Sequence, residues 1–276
     1  MYRAPLDWSH PIDISIPVRF SGERTRAWGI APSTQEPWRD GKFVGEIAEG
    51  GAVNCREMRI VAHSAGTHTE CVGHIVADAI TMVDVTPRPL SLALVITVTL
   101  HPLGSSGDTY GGTSMADDRV VCSSALRVAL QAAGRAPACE FSPTALVLRV
   151  NLPGVTRVGR DWSNTNPPYL TDQAIDVIKE AGFLDILLDI PSVDREWDGG
   201  GLPSHHRWWD LPAGVQHLQG KASARTITEL IEVPMSVADG WYGLLLQVPS
   251  IASDAVPSRP VLYPLTSHAP DGFHHV

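Results

Sequence analysis

The chain is short of several features that would narrow its class at once. Only 4 Cys occur in 276 residues, Cys55, Cys71, Cys122 and Cys139, with no Cys-x-x-Cys pair. Spacing this irregular excludes a disulfide framework and reads as reduced thiols, the state kept in a cytosol. Long apolar runs are missing too. The longest, residues 92–100, contains Thr97 and Thr99 and falls well short of the roughly 20 residues needed to span a bilayer. Residues 1–8 lack the apolar centre of a secretory signal, so a cytoplasmic protein with no membrane partner is expected. Positive charge is in deficit: 21 Lys and Arg against 30 Asp and Glu give a formal charge of -9, which argues against a nucleic-acid partner. There is no internal repeat or low-complexity tract, no Walker or dinucleotide fingerprint, and no Ser/His/Asp or Cys/His nucleophile signature.

What remains is an ordinary globular composition, 43% hydrophobic and 18% charged, long enough for a single α/β domain over residues 1–276. Residues 13–18, 59–63, 92–100, 144–150 and 184–190 read as strands, from alternation or from runs of β-branched and aliphatic residues. A helix is expected within residues 116–133 with Gly134 as its stop, and a better one over 171–181. In the second, Thr171 can cap the N-terminus, Asp172 suits the positive end of the dipole, and Ala174, Ile175, Ile178 and Ala181 form the apolar stripe. A helix, Gly182 and then an apolar strand make a helix-to-strand unit, which points to α/β. Residues 195–222 are polar, rich in Gly and Trp, and long for a loop inside a compact domain.

The chemistry concentrates first in Ser64-Ala65-Gly66-Thr67-His68-Thr69-Glu70-Cys71-Val72-Gly73-His74. His68, Glu70 and His74 fall at intervals of two and four, so on an extended chain they share one face. Two imidazoles and a carboxylate suit a divalent metal, Zn²⁺ by default and Mn²⁺ as the other choice. Two histidines within six residues are also ordinary polar loop residues in a protein with 11 His, and spacing alone does not separate the two readings. Cys71 points away from that face and reads as a buried thiol.

This segment resembles the H-x-G-T-H-x-D-x-P-x-H motif of the metal-dependent kynurenine formamidase and cyclase family, which includes arylformamidases and isatin hydrolases. Gly66, Thr67, His68 and His74 match; Glu70 stands in place of Asp, and Val72 in place of Pro. Ser64 occupies the position of the motif's first His, with His63 one residue earlier, so either a one-residue bulge lets His63 reach a metal or one ligand is missing and a single metal is expected. Asp189-Ile190-Pro191-Ser192-Val193-Asp194 resembles the family's D-x-P-S-V-D, His205-His206 its His pair, Glu229 its metal-bridging Glu, and Asp7-Trp8-Ser9-His10-Pro11 its opening segment. Asp194 would order the loop or be a plain acidic turn residue, and His206 would lie behind the site or at the surface. The longer interval between His205 and Glu229 implies an insertion over about 208–222.

The resemblance implies a mixed β-sheet curled into a barrel-like core with outer helices, the swivelling β/β/α architecture. It also implies a homodimer or homotetramer. It implies metal ligands His68, Glu70, His205 and Glu229, with His63 near them, and His74 as the proton-carrying catalytic residue. The implied reaction is attack of metal-activated water on the C–N bond of a formamide or cyclic amide, an arylformamidase-like hydrolysis of a small aromatic amide. Isatin-type lactam opening, dehydration or cyclisation, and a metal- or ligand-binding homologue without turnover are the competing readings. Trp208, Trp209 and Trp197 lie near His205 in the chain and either form stacking walls or cover the core or a subunit interface, with Trp28 and Trp38 as further wall candidates.

Overall fold

The computed structural model describes residues 6–85 and 88–266. Nine strands form one sheet: β1 (Ile12–Asp13), β2 (His68–Glu70), β3 (Leu90–Val98), β4 (Pro143–Val150), β5 (Asp185–Leu188), β6 (Thr226–Glu229), β7 (Gly240–Gln247), β8 (Ala255–Pro257) and β9 (Arg259–Pro264). Their order is β1-β9-β7-β3-β4-β5-β6-β2-β8. The four central strands β3, β4, β5 and β6 run parallel, and antiparallel strands extend both sides. The sheet curls into a half-barrel with few helices, a mixed α/β architecture. No helix among the described residues is long and apolar enough to cross a membrane.

The centre of the sheet is apolar on both faces because both faces are covered, as parallel sheets require. Alternate residues Leu94, Ile96, Leu146, Leu148, Ile186 and Leu188 enter one core. Their neighbours Ala93, Val95, Ala145, Val147 and Leu187 enter a second core with Ile14, Leu244 and Leu262. Helices α1 (Ala62–Ala65), α2 (Ser123–Ala133), α3 (Asp172–Glu180) and α4 (Pro203–Trp208) follow in chain order. The longer pair, α2 and α3, contributes Leu126, Ala174, Ile175 and Ile178 to the first core. The Thr171 hydroxyl caps α3 by accepting from the Ala174 N–H at 3.1 Å, as its sequence predicts.

Three expected elements take another form, the strand over 13–18 being reduced to Ile12–Asp13 and an isolated bridge at Ser15. Helix α2 begins at Ser123 rather than near 116, because Arg119–Val121 is a strand paired with Tyr169–Leu170 and His101–Pro102. Val120 and Val121 are fully buried there, and the Asp108 carboxylate supplies the helix start by accepting from the Ser123 N–H and hydroxyl. The strand expected over 59–63 ends at Arg59, and the chain turns helical at Ala62. Gly66 is the cause at the far end of that turn: a Cβ there would lie 2.7 Å from the Ile16 carbonyl oxygen, so the backbone can press against residues 16–18 only as glycine.

Candidate metal centre

Register brings the chemistry together. In the antiparallel pairing of β2 with β6, His68 stands opposite Glu229 and Glu70 opposite Ile227, and opposed residues project to the same face. Thr67 anchors this edge: its hydroxyl accepts from the Ile16 N–H at 2.7 Å and donates to the Leu230 carbonyl. The strand stops at Glu70, and Val72–His74 forms a tight 3₁₀ turn. Gly73 permits that turn, since a Cβ would meet the Ile80 carbonyl oxygen at 2.0 Å. His74 therefore does not continue the extended face of His68 and Glu70. It folds back and stacks on His63, with ring centroids 4.1 Å apart and planes at 29°.

His63 reaches the cluster, but by a helical turn and not a bulge. Its Nδ1 lies 3.1 Å from Glu70 Oε2. Ser64, one residue on, donates its hydroxyl to the Val61 carbonyl. His205 enters from α4. Asp194 accepts from the backbone N–H groups of Ser204 and His205 at the start of that helix and from His205 Nδ1 at 2.5 Å. Asp194 thus orders the loop and also turns His205 Nε2 inward, to 2.9 Å from Glu70 Oε1 and 4.0 Å from Glu229 Oε1. A carboxylate behind a histidine in this way fixes the ring's tautomer and direction. His206 makes no bond to the cluster, and burial lowers its pKa.

Two buried polar atoms inside the cluster make no hydrogen bond. His68 donates Nδ1–H to the Gly66 carbonyl at 3.1 Å, which leaves a lone pair on Nε2, 3.4 Å from Glu229 Oε2. His68 Nε2 and Glu70 Oε2 are both buried without a hydrogen-bond partner. Glu70 is 0% and Glu229 3% exposed, and buried carboxylates this close need a positive partner. Burial would raise the Glu70 carboxyl, yet His74 and His205 hold it well below the usual range. Burial would lower His205, but Glu70 and Asp194 hold it well above the ordinary imidazole value. His63 is likewise pushed up to about 10 by Asp254 and Glu70 against the opposing effect of burial. His63, Glu70 and His74 form one triad able to hold a divalent metal, and His68, Glu70 and Glu229 form another.

Asp254 was not singled out by its sequence context. It precedes β8, whose pairing with β2 sets Ala255 opposite Glu70. Its carboxylate Oδ2 lies 2.8 Å from His63 Nε2 and 3.3 Å from His74 Nδ1. No local motif marks it, since 180 and 191 residues separate it from these partners.

Above the cluster lies a cavity of about 290 Å³ lined by Trp28, Ile30, Val61 and Leu202, with His63, His74, His205 and Glu229 at its base. Trp28 and Leu202 adopt left-handed backbone conformations, as does Leu230 beside Glu229. Non-glycine residues held there cost roughly 1–3 kcal/mol each and gather at functional sites. The expected walls Trp208, Trp209 and Trp197 do not line this cavity. Trp208 and Trp209 are in the first core, where α4 packs against α3; the Trp209 ring centroid lies 5.5 Å from that of His205. Trp197 is 48% exposed and Trp38 47%. Trp28 is the tryptophan that forms a wall, its indole N–H donating to the His63 carbonyl at 3.1 Å. The segment after Trp208 is tied down: Trp209 donates to the Arg225 carbonyl, Asp210 pairs with Lys179 and Arg225, and the Gln216 carbonyl accepts from the Ala77 N–H. The Asp7–His10 segment forms a local turn bonded to Pro264. A larger groove of about 730 Å³, between α2 and β3, does not include the His–Glu cluster, so chemistry and not size locates the site.

Comparison with known proteins converges on one family. Residues 6–195 match the profile of the family described as "Putative cyclase". No curated protein matches the chain. Among solved structures, an isatin hydrolase bound to the product analogue thioisatinate superposes with a TM-score of 0.61 at 13% identity, covering 93% of each chain. Isatin hydrolase A from Labrenzia aggregata bound to benzyl benzoate gives 0.57 at 12%, covering 93% of this chain and 94% of that one. A predicted metal-dependent hydrolase from Bacillus stearothermophilus gives 0.55 at 11%, covering 92% and 98%. At these identities the likeness is one of fold.

Proposed function

The chain belongs to the cyclase family, and on that premise we propose that it is a metal-dependent hydrolase that opens the amide-type C–N bond of a small aromatic substrate. The observation that carries this reading is a pair of buried atoms without a hydrogen bond, His68 Nε2 and Glu70 Oε2, with Glu229 beside them, next to a cavity of ligand size that Glu229, His63, His74 and His205 line. His68, Glu70, Glu229 and His205 would hold the ion, with His63 beside Glu70; nitrogen and carboxylate donors suit Zn²⁺, and Mn²⁺ is the second choice. When bound, the ion brings the pKa of a bound water towards about 7 and polarises a carbonyl oxygen.

The chain's own groups do the rest. Asp194 and the Gly66 carbonyl fix the directions of His205 and His68. His74, with Nδ1 towards Asp254, leaves Nε2 free to take a proton and return one to the leaving nitrogen. Trp28, Ile30 and Leu202 offer flat and apolar surface to an aromatic ring and exclude water from the base.

A second reading, lactam ring opening, draws support from the charges around the cavity. Arg195 is committed to Asp118 and the Trp197 carbonyl, Glu196 to the N–H groups of Asn164 and Asn166, and Asp198 to those of Gly200 and Leu202. With these lining groups satisfied internally, an uncharged ring suits the walls better than a substrate carrying an amino-acid group.

The test measures divalent metal per chain by mass spectrometry, together with hydrolysis of a formanilide and of isatin, for wild type and Glu229→Gln. Expected are near-stoichiometric Zn or Mn in wild type, less metal in the variant at equal chelator, and turnover lost to chelator and restored by metal. Turnover of isatin without the formanilide would select the second reading. Wild type that takes up neither ion would sink both.

A further inference from the structure

The strongest feature outside the proposed ligand set is the Asp254 carboxylate. We infer that Asp254 is a positioning residue that fixes the tautomers of His63 and His74 together, so that both rings turn their unprotonated nitrogens towards Glu70. The inference rests on the metal-hydrolase reading above.

The two imidazoles are stacked nearly parallel, and one carboxylate oxygen, Asp254 Oδ2, contacts an outer nitrogen of each: His63 Nε2 at 2.8 Å and His74 Nδ1 at 3.3 Å. A carboxylate only accepts, so each contacted nitrogen carries the proton. Once an ion displaces the second proton of each ring, the opposite nitrogens are the ones left with lone pairs, and both face one atom. His63 Nδ1 lies 3.1 Å and His74 Nε2 3.9 Å from Glu70 Oε2, which is buried and lacks a hydrogen-bond partner. One carboxylate thereby prepares His63 Nδ1 to bind a cation and His74 Nε2 to accept a proton. These are different tasks set by the same bond geometry.

The arrangement also accounts for the Ser64 position. His63 sits on a helical turn, partly exposed and without the strand that holds His68. A ring on such a turn needs an outside constraint to stay aimed, and Asp254 supplies it. Its own placement is independent of its side chain: its carbonyl accepts from the Cys71 N–H at 3.0 Å, locking the backbone next to Glu70. The Asp254 side chain is 38% exposed, so replacing it leaves the core untouched.

The experiment compares wild type with Asp254→Ala and Asp254→Glu, each loaded with Zn²⁺. Chelator competition gives metal affinity, and two-bond ¹H–¹⁵N correlation spectra give the tautomers of His63 and His74, assigned with His63→Ala. Expected in wild type are Nε2–H on His63 and Nδ1–H on His74. In Asp254→Ala these resonances shift or average, Zn²⁺ binds ~10–100-fold more weakly, and Asp254→Glu recovers part of the loss. Unchanged tautomers and unchanged affinity in Asp254→Ala would overturn the inference and leave the hydrolase reading standing. A wild type that binds no Zn²⁺ would overturn the hydrolase reading, and this inference with it.

Discussion

At the scale of the residue, burial and orientation decide which of several reactive groups can act. Cys71 lies between Glu70 and Val72, one bond from the cluster by sequence, yet it is 0% exposed and packs with Met82, Val85 and Val256. Burial pushes its thiol up to about 11, so the thiolate that nucleophilic chemistry or alkylation requires is scarce at neutral pH. In native protein, a thiol reagent at about pH 7 is expected to label exposed Cys55 and to leave Cys71 unmodified, as read by peptide mass spectrometry. Rapid labelling of Cys71 would mean that the 71–74 turn opens. The same logic separates the two members of the His205–His206 pair. Asp194 aims His205 at Glu70, while His206 has no bond to the cluster.

At the scale of the element, the loop between β5 and α4 is held by a buried polar network. Asp118, 3% exposed, accepts from Arg195 through Nε and Nη2, from Met115 N–H, from Asn166 and from the Tyr169 hydroxyl. Burial raises its carboxyl, but Arg195, the Met115 N–H, Asn166 and Tyr169 together hold it below the ordinary value of 3.8. A carboxyl depressed in the folded state adds stability above its unfolded pKa and loses it as the pH falls through the folded one. Asp118→Asn leaves the Arg195 charge buried without its partner, an effect of about 3–5 kcal/mol for such pairs. Urea titration should show that deficit at about pH 7, and it should shrink below pH 3.8 as the wild-type carboxylate itself protonates. A deficit independent of pH would assign the loss to packing.

At the scale of the whole molecule, the centre joins parts of the chain that share no local structure: α1, β2, the start of α4, the end of β6 and the residue before β8. An ion that binds these groups folded and not unfolded stabilises the entire sheet edge by mass action, about 2.7 kcal/mol at a free concentration 100 times its Kd. Thermal unfolding followed by circular dichroism should therefore show a higher Tm with excess Zn²⁺ than with chelator. The gap should close in Glu229→Gln. Equal Tm values in wild type would count against an ion bridging these elements.

The sequence by itself determined the apolar centre of the sheet, the capped helix α3 and the short-range part of the site. Strand periodicity suffices to put His68 and Glu70 on one face, and the family motif points to His205 and Glu229. Local pattern also explains the misplacements. Residues 116–122 and 59–63 carry apolar residues that fit more than one period, and tertiary pairing chose strand for Arg119–Val121 and a helical turn for Ala62–Ala65. Only the tertiary structure decided that His63 comes within 3.1 Å of Glu70, that His74 turns back to stack on it, that Asp254 contacts both, and that Trp28 rather than Trp208, Trp209 or Trp197 walls the cavity. The physical reason is range. A period of two or 3.6 residues fixes where a side chain points relative to its own element. Which distant group it meets is set by strand register and by the faces that helices bury, and neither leaves a mark on the residues around Asp254 or Trp28.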